Sequence, residues 1–327
     1  MNTKRAILFL NLGGPERQAD VRPFLMRLFD DPEILRIPVP LLRKLLAWII
    51  STSREKESQK MYQKIGGGSP IRRLTDQQAI ATQLALQNKG YETEIHTAFN
   101  CSAPLIEDVV EELANRGFKK FLAFPLYPQY SLTTTKGALD RARAAVKKFA
   151  PSAQLLEMCS WHLHPLFIKA HAELIKQQVQ LFSDPTDEKI HLNFSAHSIP
   201  EKLVTKMGDP YQQQMEESVQ AVLKELNWKG KWTLSWQSKL GPIKWLGPST
   251  EETVMRLGKE GVEKLCVSPI AFVTDHIETL FELDQELAEE AAAVGIKEYK
   301  RVPGLNSYPT FIEALTDLAI GQTDFWN

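Results

Sequence analysis

Cysteine is scarce in this chain: three residues in 327, at Cys101, Cys159 and Cys266. They form no CxxC pair, which argues against a disulfide framework and against a thiolate zinc site, and the expected compartment is a reducing cytoplasm. A surplus of either charge is also lacking, since thirty-nine basic residues meet forty acidic ones for a net charge of −1. Without a basic excess there is no electrostatic footprint for nucleic acid, and no such partner is expected. Long apolar runs are missing too. The strongest, Leu41–Ile50, reads LLRKLLAWII, about half the length a bilayer span requires. It is read as a core helix, a pocket lip, or a patch resting on a membrane surface. The start, MNTKRAILFLNLGGPE, carries a short apolar run into Gly13, Gly14 and Pro15 without a small-residue cleavage site, so it is read as a buried first strand.

Several catalytic signatures are absent as well. The turns NLGGP (11–15) and IGGGSP (65–70) lack GxGxxG spacing and a P-loop lysine, so tight turns or a close backbone approach to a flat ligand explain their glycines better than phosphate does. No GxSxG elbow exists, and Ser195 and Ser198 stand too close to His197 in sequence to build a Ser-His-Asp triad with it.

What is present is alternation. Strand-like runs at 6–12, 92–98, 120–125, 154–158, 189–195, 231–237 and 264–272, most of them continuously apolar without alternation, predict buried parallel strands. Helical patterns lie between them at 75–88, 104–116, 135–148, 165–181, 211–226 and 250–258. The composition, 43% hydrophobic and 24% charged, fits a soluble globular protein, and the alternation of strand and helix makes its class α/β. The expected architecture is two similar doubly wound, Rossmann-like parallel-sheet domains facing across a cleft: residues 1–160, residues 161–307, and a last helix within 308–327 packing back on the first domain.

Three polar segments follow strand-like runs: SAHS at 195–198, WQSKLGPIKWLGP at 236–248, and DHIETLFELD at 275–284. Loops leaving the carboxyl ends of strands form the ligand crevice of such sheets, so His197, Gln237, Ser238 and Glu278 are expected to share one cleft. At about 100° per residue, Asp275, Glu278, Glu282 and Gln285 fall on one face of an α-helix, with His276, Leu280, Leu283 and Leu287 on the other. Asp275 and Glu278 also have capping-box spacing, and the acidic stripe alone would be an ordinary solvated face.

Six blocks, LNLGGPE, IGGGSPI, PLYPQYS, SAHSIP with the following GDPY, WQSKLGPIKWLGP and PIAFVTDHIETLFELD, together resemble the ferrochelatases over nearly the whole chain. That resemblance implies a lyase of haem biosynthesis that inserts Fe²⁺ into protoporphyrin IX, giving protohaem and two protons without ATP. It makes His197 the acceptor of pyrrole protons and Glu278 its catalytic companion, with Glu282 in an acidic relay or metal-staging site. His197, Glu278, Glu282 and Asp275 are then the expected metal donors, because carboxylate oxygens with an imidazole hold Fe²⁺ weakly enough to release it. The porphyrin-binding set comprises Leu12, Tyr130, Trp245, Gln237, Ser238 and His276, with Arg54 and Ser131 for propionates. The form WQSKLGP is similar to enzymes acting on protoporphyrin rather than coproporphyrin. Asn100-Cys101 departs from the Arg-Tyr frequent in the family, and the tail after Ile320 lacks the Cys cluster of some relatives. No iron–sulfur cluster and no other cofactor is expected, iron being a substrate. Peripheral membrane contact through Leu41–Ile50, on the inner face, is part of the same expectation. The rivals are another tetrapyrrole chelatase, for coproporphyrin iron or for cobalt or nickel, and a non-catalytic haem- or metal-binding protein.

Overall fold

The structure, a computed structural model, describes residues 4–239, 241 and 243–327; Leu240 and Pro242 of the WQSKLGP segment lie outside the described residues. The chain divides into two compact units, one running up to Trp161 and including Ile312–Asn327, the other His162–Phe311.

The first unit contains β1 (Arg5–Asn11), α1 (Val21–Phe29), α2 (Pro40–Lys64), α3 (Ile71–Asn88), β2 (Glu94–Phe99), α4 (Ile106–Asn115), β3 (Lys120–Pro125), α5 (Thr135–Phe149) and β4 (Gln154–Glu157). Its four strands are all parallel in the order β2-β1-β3-β4. Residues Ala6 to Leu10 of β1 are wholly buried, which is why that run is apolar without alternation. On one face Ile106, Val109, Val110 and Leu113 of α4, spaced for a single helical stripe, pack with Ala138, Leu139 and Ala142 of α5 on Leu8, Leu10, Phe121 and Ala123.

The second unit contains α6 (Pro165–Val179), β5 (His191–His197), α7 (Glu201–Met207), α8 (Tyr211–Leu226), β6 (Trp232–Gln237), α9 (Thr250–Lys259), β7 (Lys264–Ser268), a π-helix (Glu278–Glu286), α10 (Leu287–Ala293) and β8 (Glu298–Arg301). Its strand order, β6-β5-β7-β8, is again all parallel and repeats the first unit's pattern. The chain then continues through α11 (Pro309–Ile320) and α12 (Thr323–Trp326). In both sheets the winding reverses beside the first strand, and that switch point is where a crevice opens at the carboxyl ends.

Several sequence expectations need correction. Lys264–Phe272 is strand only to Ser268, because Pro269 has no N–H to offer the ladder. The edge strand β8 was not expected: EYKR is half-buried and carries charges, so it lacks the apolar run of a central strand. Leu41–Ile50 is the start of a 25-residue helix, and Leu41, Leu42, Leu45, Trp48 and Ile49 are exposed. Only the small Ala47 of this stretch is buried, which rules out the core-helix reading. The glycine turns serve the chain's own packing. A Cβ on Gly68 would lie 2.0 Å from the Glu16 carbonyl oxygen, and Gly13, at φ +86°, would press one against the Ser102 hydroxyl.

Candidate active site

Parallel pairing brings His197, the last residue of β5, level with Gln237, the last of β6. The segment after β7 leaves on the other side of the switch point and starts the π-helix at Glu278. There the Leu287 N–H bonds the Glu282 carbonyl five residues back, the widened turn that marks such helices and that recurs at functional sites. Leu283 and Leu287 anchor it against Val254, Leu257, Leu265 and Val267. Beside it α9 starts from a capping box, in which the Ser249 Oγ accepts the Glu252 N–H and the Glu252 carboxylate accepts the Ser249 N–H.

His197 Nδ1 lies 2.8 Å from Glu278 Oε2. Ser238 Oγ lies 3.1 Å from the same oxygen and 2.7 Å from Glu282 Oε2, so one hydroxyl joins the two acids. Ser238 reaches both because its backbone turns into the left-handed region, φ 65°, which a residue with a Cβ seldom adopts and which often marks functional sites. The strand end itself is tied down by the Tyr211 hydroxyl, which donates to the His197 carbonyl at 3.0 Å. Phe272 meets both imidazoles edge-on, His276 at 4.5 Å between ring centres and His197 at 6.4 Å. Tyr211 and Phe272 lie within blocks of family resemblance, but nothing in their residue type marks them as supports for a histidine.

The electrostatics follow from burial and pairing. Burial pulls His197 down, but the Glu278 charge and hydrogen bond, with Glu282 behind them, outweigh it and leave the imidazole's pKa raised. Burial pushes Glu278 up, yet His197 and then His276 hold its carboxyl well below the usual range. Burial and the neighbouring Glu278 charge push Glu282 up to about 7. One acid is therefore anionic and the other titrates near neutrality. Beyond them opens a cavity of about 340 Å³, lined by Gln237, Ser238, Lys239 and a run of acids, Glu251, Glu282, Glu286 and Glu290.

Of the expected site residues, the structure brings together His197, Gln237, Ser238, Glu278 and Glu282. Gln237, expected to touch porphyrin, is only 1% exposed and is turned inward to Ser195, Glu282 and the Glu278 carbonyl. Ser238 likewise bridges the acids. His276 is not on the face opposite them: it precedes the π-helix, bonds the Thr274 carbonyl through Nδ1, and places Nε2 3.7 Å from Glu278 Oε1. Asp275 is excluded from the cluster. Its carboxylate is engaged by Arg301 at 2.7 Å, Asn306 at 2.7 Å, Thr279 at 2.8 Å and the Gly304 amide, leaving no oxygen for a metal. The expected Asp275–Glu278 capping box is absent, since the helix begins later than its spacing implied. Among the described residues no group of three or more His, Cys, Asp or Glu side chains is arranged to hold a metal ion, so His197, Glu278 and Glu282 are not a preformed ligand set.

The remaining expected residues are placed as follows. Trp245 is half-buried in the loop after β6, which pairs with Pro200. In the first unit Leu12 is half-buried just past β1, and Arg54 is half-buried on α2. Tyr130 is half-buried after β3. Ser131 is only 1% exposed and its hydroxyl meets Thr133 in the turn before α5, so it is spent on local structure rather than held out for a propionate. Asn100 and Cys101 are buried; the Arg141 guanidinium, paired with Glu107, donates to the Asn100 carbonyl. Burial pushes the Cys101 thiol up to about 12, so it is a neutral packing group.

Solved structures share this architecture. SirB from Bacillus subtilis with Fe³⁺ matches with a TM-score of 0.58 at 13% identity, over 99% of this chain and 100% of that one. CbiX, described as the terminal enzyme of sirohaem biosynthesis in denitrifying bacteria, matches with a TM-score of 0.51 at 12% identity, over 98% and 99%. At such identity they define the class of fold, the two-unit α/β fold of chelatases, and nothing finer. A ferrochelatase family model matches residues 4–323. The ferrochelatase of Synechococcus sp. strain JA-3-3Ab is 46% identical over 319 residues, 97% of this chain and 93% of that protein. That of Synechocystis sp. is 42% identical over 317 residues, 96% of this chain and 81% of that protein. The chain belongs to the ferrochelatase family.

Proposed function

We propose that this chain inserts Fe²⁺ into protoporphyrin IX, giving protohaem and two protons, with His197 as the base at the ring centre. Family membership carries the reaction class, a lyase reaction of haem synthesis in which iron enters a porphyrin. The observation that carries the mechanism is the 2.8 Å contact of His197 Nδ1 with Glu278. An ionised carboxylate only accepts, so the Nδ1 hydrogen is committed to it and the Nε2 lone pair is left to take a pyrrole proton. The imidazolium formed is then stabilised by the anion it already touches. Ser238 links Glu278 to Glu282, and Glu282, titrating near neutrality, stands where a proton passes to the acid-lined cavity. Those carboxylates are hard donors suited to Fe²⁺ as a passing substrate.

Leu12, Arg54, Tyr130 and Trp245 remain the proposed porphyrin contacts, Arg54 offering a planar fork to a propionate. No resident cofactor takes part in this reading. Among the described residues no helix is long and apolar enough to cross a membrane. The exposed Leu41, Leu42, Leu45, Trp48 and Ile49, beside Arg43 and Lys44, support peripheral attachment of a cytoplasmic protein to the membrane surface. The test of the reaction is anaerobic metalloporphyrin formation with Fe²⁺ and each of protoporphyrin IX and coproporphyrin. His197→Ala should still bind porphyrin and lose insertion by at least about 10²-fold, the scale of a positioned base. Insertion near the parent rate would make His197 a structural histidine.

A further inference from the structure

Behind Gln237 the shared face of β5 and β6 is polar although it is buried. His191, Asn193 and Ser195 on one strand stand beside Thr233, Ser235 and Gln237 on the other, while Leu192, Phe194 and Ala196 turn to the opposite face. Parallel strands covered on both sides are ordinarily apolar, so a polar face here requires a reason. Asn193, Ser195 and Ser235 are wholly buried, and Thr250, from the first turn of α9, is 1% exposed and inserts between them.

Their hydrogen bonds form a connected path that ends on Gln237. The Thr233 hydroxyl donates to Asn193 Oδ1 at 2.7 Å, which commits the Asn193 amide N–H to Ser235 Oγ at 2.9 Å. Ser235 can then pass its hydrogen to Thr250 Oγ1 at 3.0 Å, and Thr250 to Ser195 Oγ at 2.9 Å. Ser195 donates to Gln237 Oε1 at 2.7 Å. His191 Nε2, 3.2 Å from Thr233, supplies the first donor. With the Ser195 hydrogen spent on Gln237, Thr250 is the donor to Ser195, while Ser235 has Thr250, Asn193 Oδ1 at 3.1 Å and the Phe194 carbonyl at 3.4 Å within reach of its own hydrogen. At the far end Gln237 is left with its N–H groups pointing to Glu282 Oε2 at 3.4 Å and the Glu278 carbonyl at 3.5 Å.

We infer that Ser195 and Thr250 are positioning residues: the Ser195 hydroxyl, itself accepting from Thr250, holds the Gln237 amide with its N–H groups, not its oxygen, toward Glu282 and the first turn of the π-helix. The inference rests on the reading of Glu278 and Glu282 as part of the proton-handling site. A turned amide would set Oε1 against the Glu282 oxygen, acceptor against acceptor, and drive that carboxyl off Ser238. The chain matters because an amide alone has no preference between its two orientations; its neighbours decide.

The test uses the full chain and four variants. Ser195→Ala removes the donor to Oε1, Thr250→Val removes a hydroxyl at constant volume, Thr250→Ser keeps it, and Gln237→Glu assigns the side-chain amide signals by their loss. The Gln237 amide protons should exchange slowly in the parent and in Thr250→Ser, and lose that protection in Ser195→Ala and Thr250→Val. In the latter two kcat should fall about tenfold with the porphyrin KM unchanged, the pattern of a lost outer support rather than lost binding. Protection retained in both Ser195→Ala and Thr250→Val overturns the inference. Lost protection with unchanged kcat overturns it as a contribution to the reaction, while the proposed reaction, judged by His197→Ala, stands. Should the parent itself fail to form metalloporphyrin, the proposed reaction falls and the amide readout still decides the chain.

Discussion

Replacing Glu278 by Gln changes one charge and almost no volume, and it should lower turnover about 10- to 100-fold while moving the acid limb of the pH–rate profile to lower pH. Two effects combine. The first is charge: an ion pair with its centres about 4 Å apart is worth about 4 kcal/mol at an effective dielectric near 20. The His197 side chain is 39% exposed, so solvent screening reduces this to about 1–2 kcal/mol, or about tenfold in base strength. The second is the tautomer. A carboxylate only accepts, whereas a glutamine beside Nδ1 can also donate, and when it does the ring hydrogen sits on Nε2 and blocks proton uptake.

The sign of the pH effect follows from the same contacts. In the parent, burial lowers the His197 pKa and the Glu278 charge raises it by more, so the imidazole holds its proton above its ordinary range. In the variant burial remains and the main opposing charge is gone, so His197 becomes neutral, and competent as a base, at lower pH. Glu282 moves the same way, because the Glu278 charge is one of the causes of its raised value. Anaerobic stopped-flow absorbance of metalloporphyrin formation, from about pH 5 to pH 9, reads both quantities. An unmoved acid limb, or one displaced to higher pH, in a variant with parental porphyrin affinity would refute the pairing as the source of the base's strength.

Asp275→Asn should destabilise rather than disarm: Asp275 and Arg301 form an ion pair with side chains only 10% and 8% exposed, and breaking such a pair costs about 3–5 kcal/mol. Urea unfolding should show that loss with the Fe²⁺ KM unchanged, and a raised KM at parental stability would return Asp275 to the metal donors. Glu282→Gln tests a linkage: a carboxyl raised from 4.5 to about 7 contributes stability below its ordinary value that is lost as pH rises through the folded one. The thermal midpoint of the variant minus that of the parent should therefore grow between pH 4.5 and about 7, and a flat difference would contradict the raised value. Leu45→Ser with Trp48→Ser, at side chains 54% and 52% exposed, should cost about 0.5 kcal/mol each or less and weaken binding to anionic vesicles. Unaltered vesicle binding would remove α2 from the membrane proposal.

Strands β1, β3 and β7 were legible because burial on both faces writes itself as a continuous apolar run, and the meeting of His197, Gln237 and Glu278 followed from placing three polar segments at strand ends beside a switch point. The errors over His276 and Asp275 share one physical cause. Counting a 3.6-residue wheel from Asp275 starts the helix three residues early and assumes the wrong turn, since the π-helix begins at Glu278. That count put His276 opposite the acids and Asp275 among them, whereas both lie before the helix, where no wheel applies. Asp275 misleads further because its partner, Arg301, ends β8, an edge strand whose charges hide it from a search for apolar runs. The polar face behind Gln237 was hidden for the opposite reason. HLNFSAH and TLSWQ do alternate, but alternation ordinarily signals a strand with one face in water, and here the polar face turns inward and terminates on the acids. A buried alternating strand leading to a pair of buried carboxyls is therefore a pattern to read as a hydrogen-bond path, with its last amide as the group whose orientation the proposed path decides.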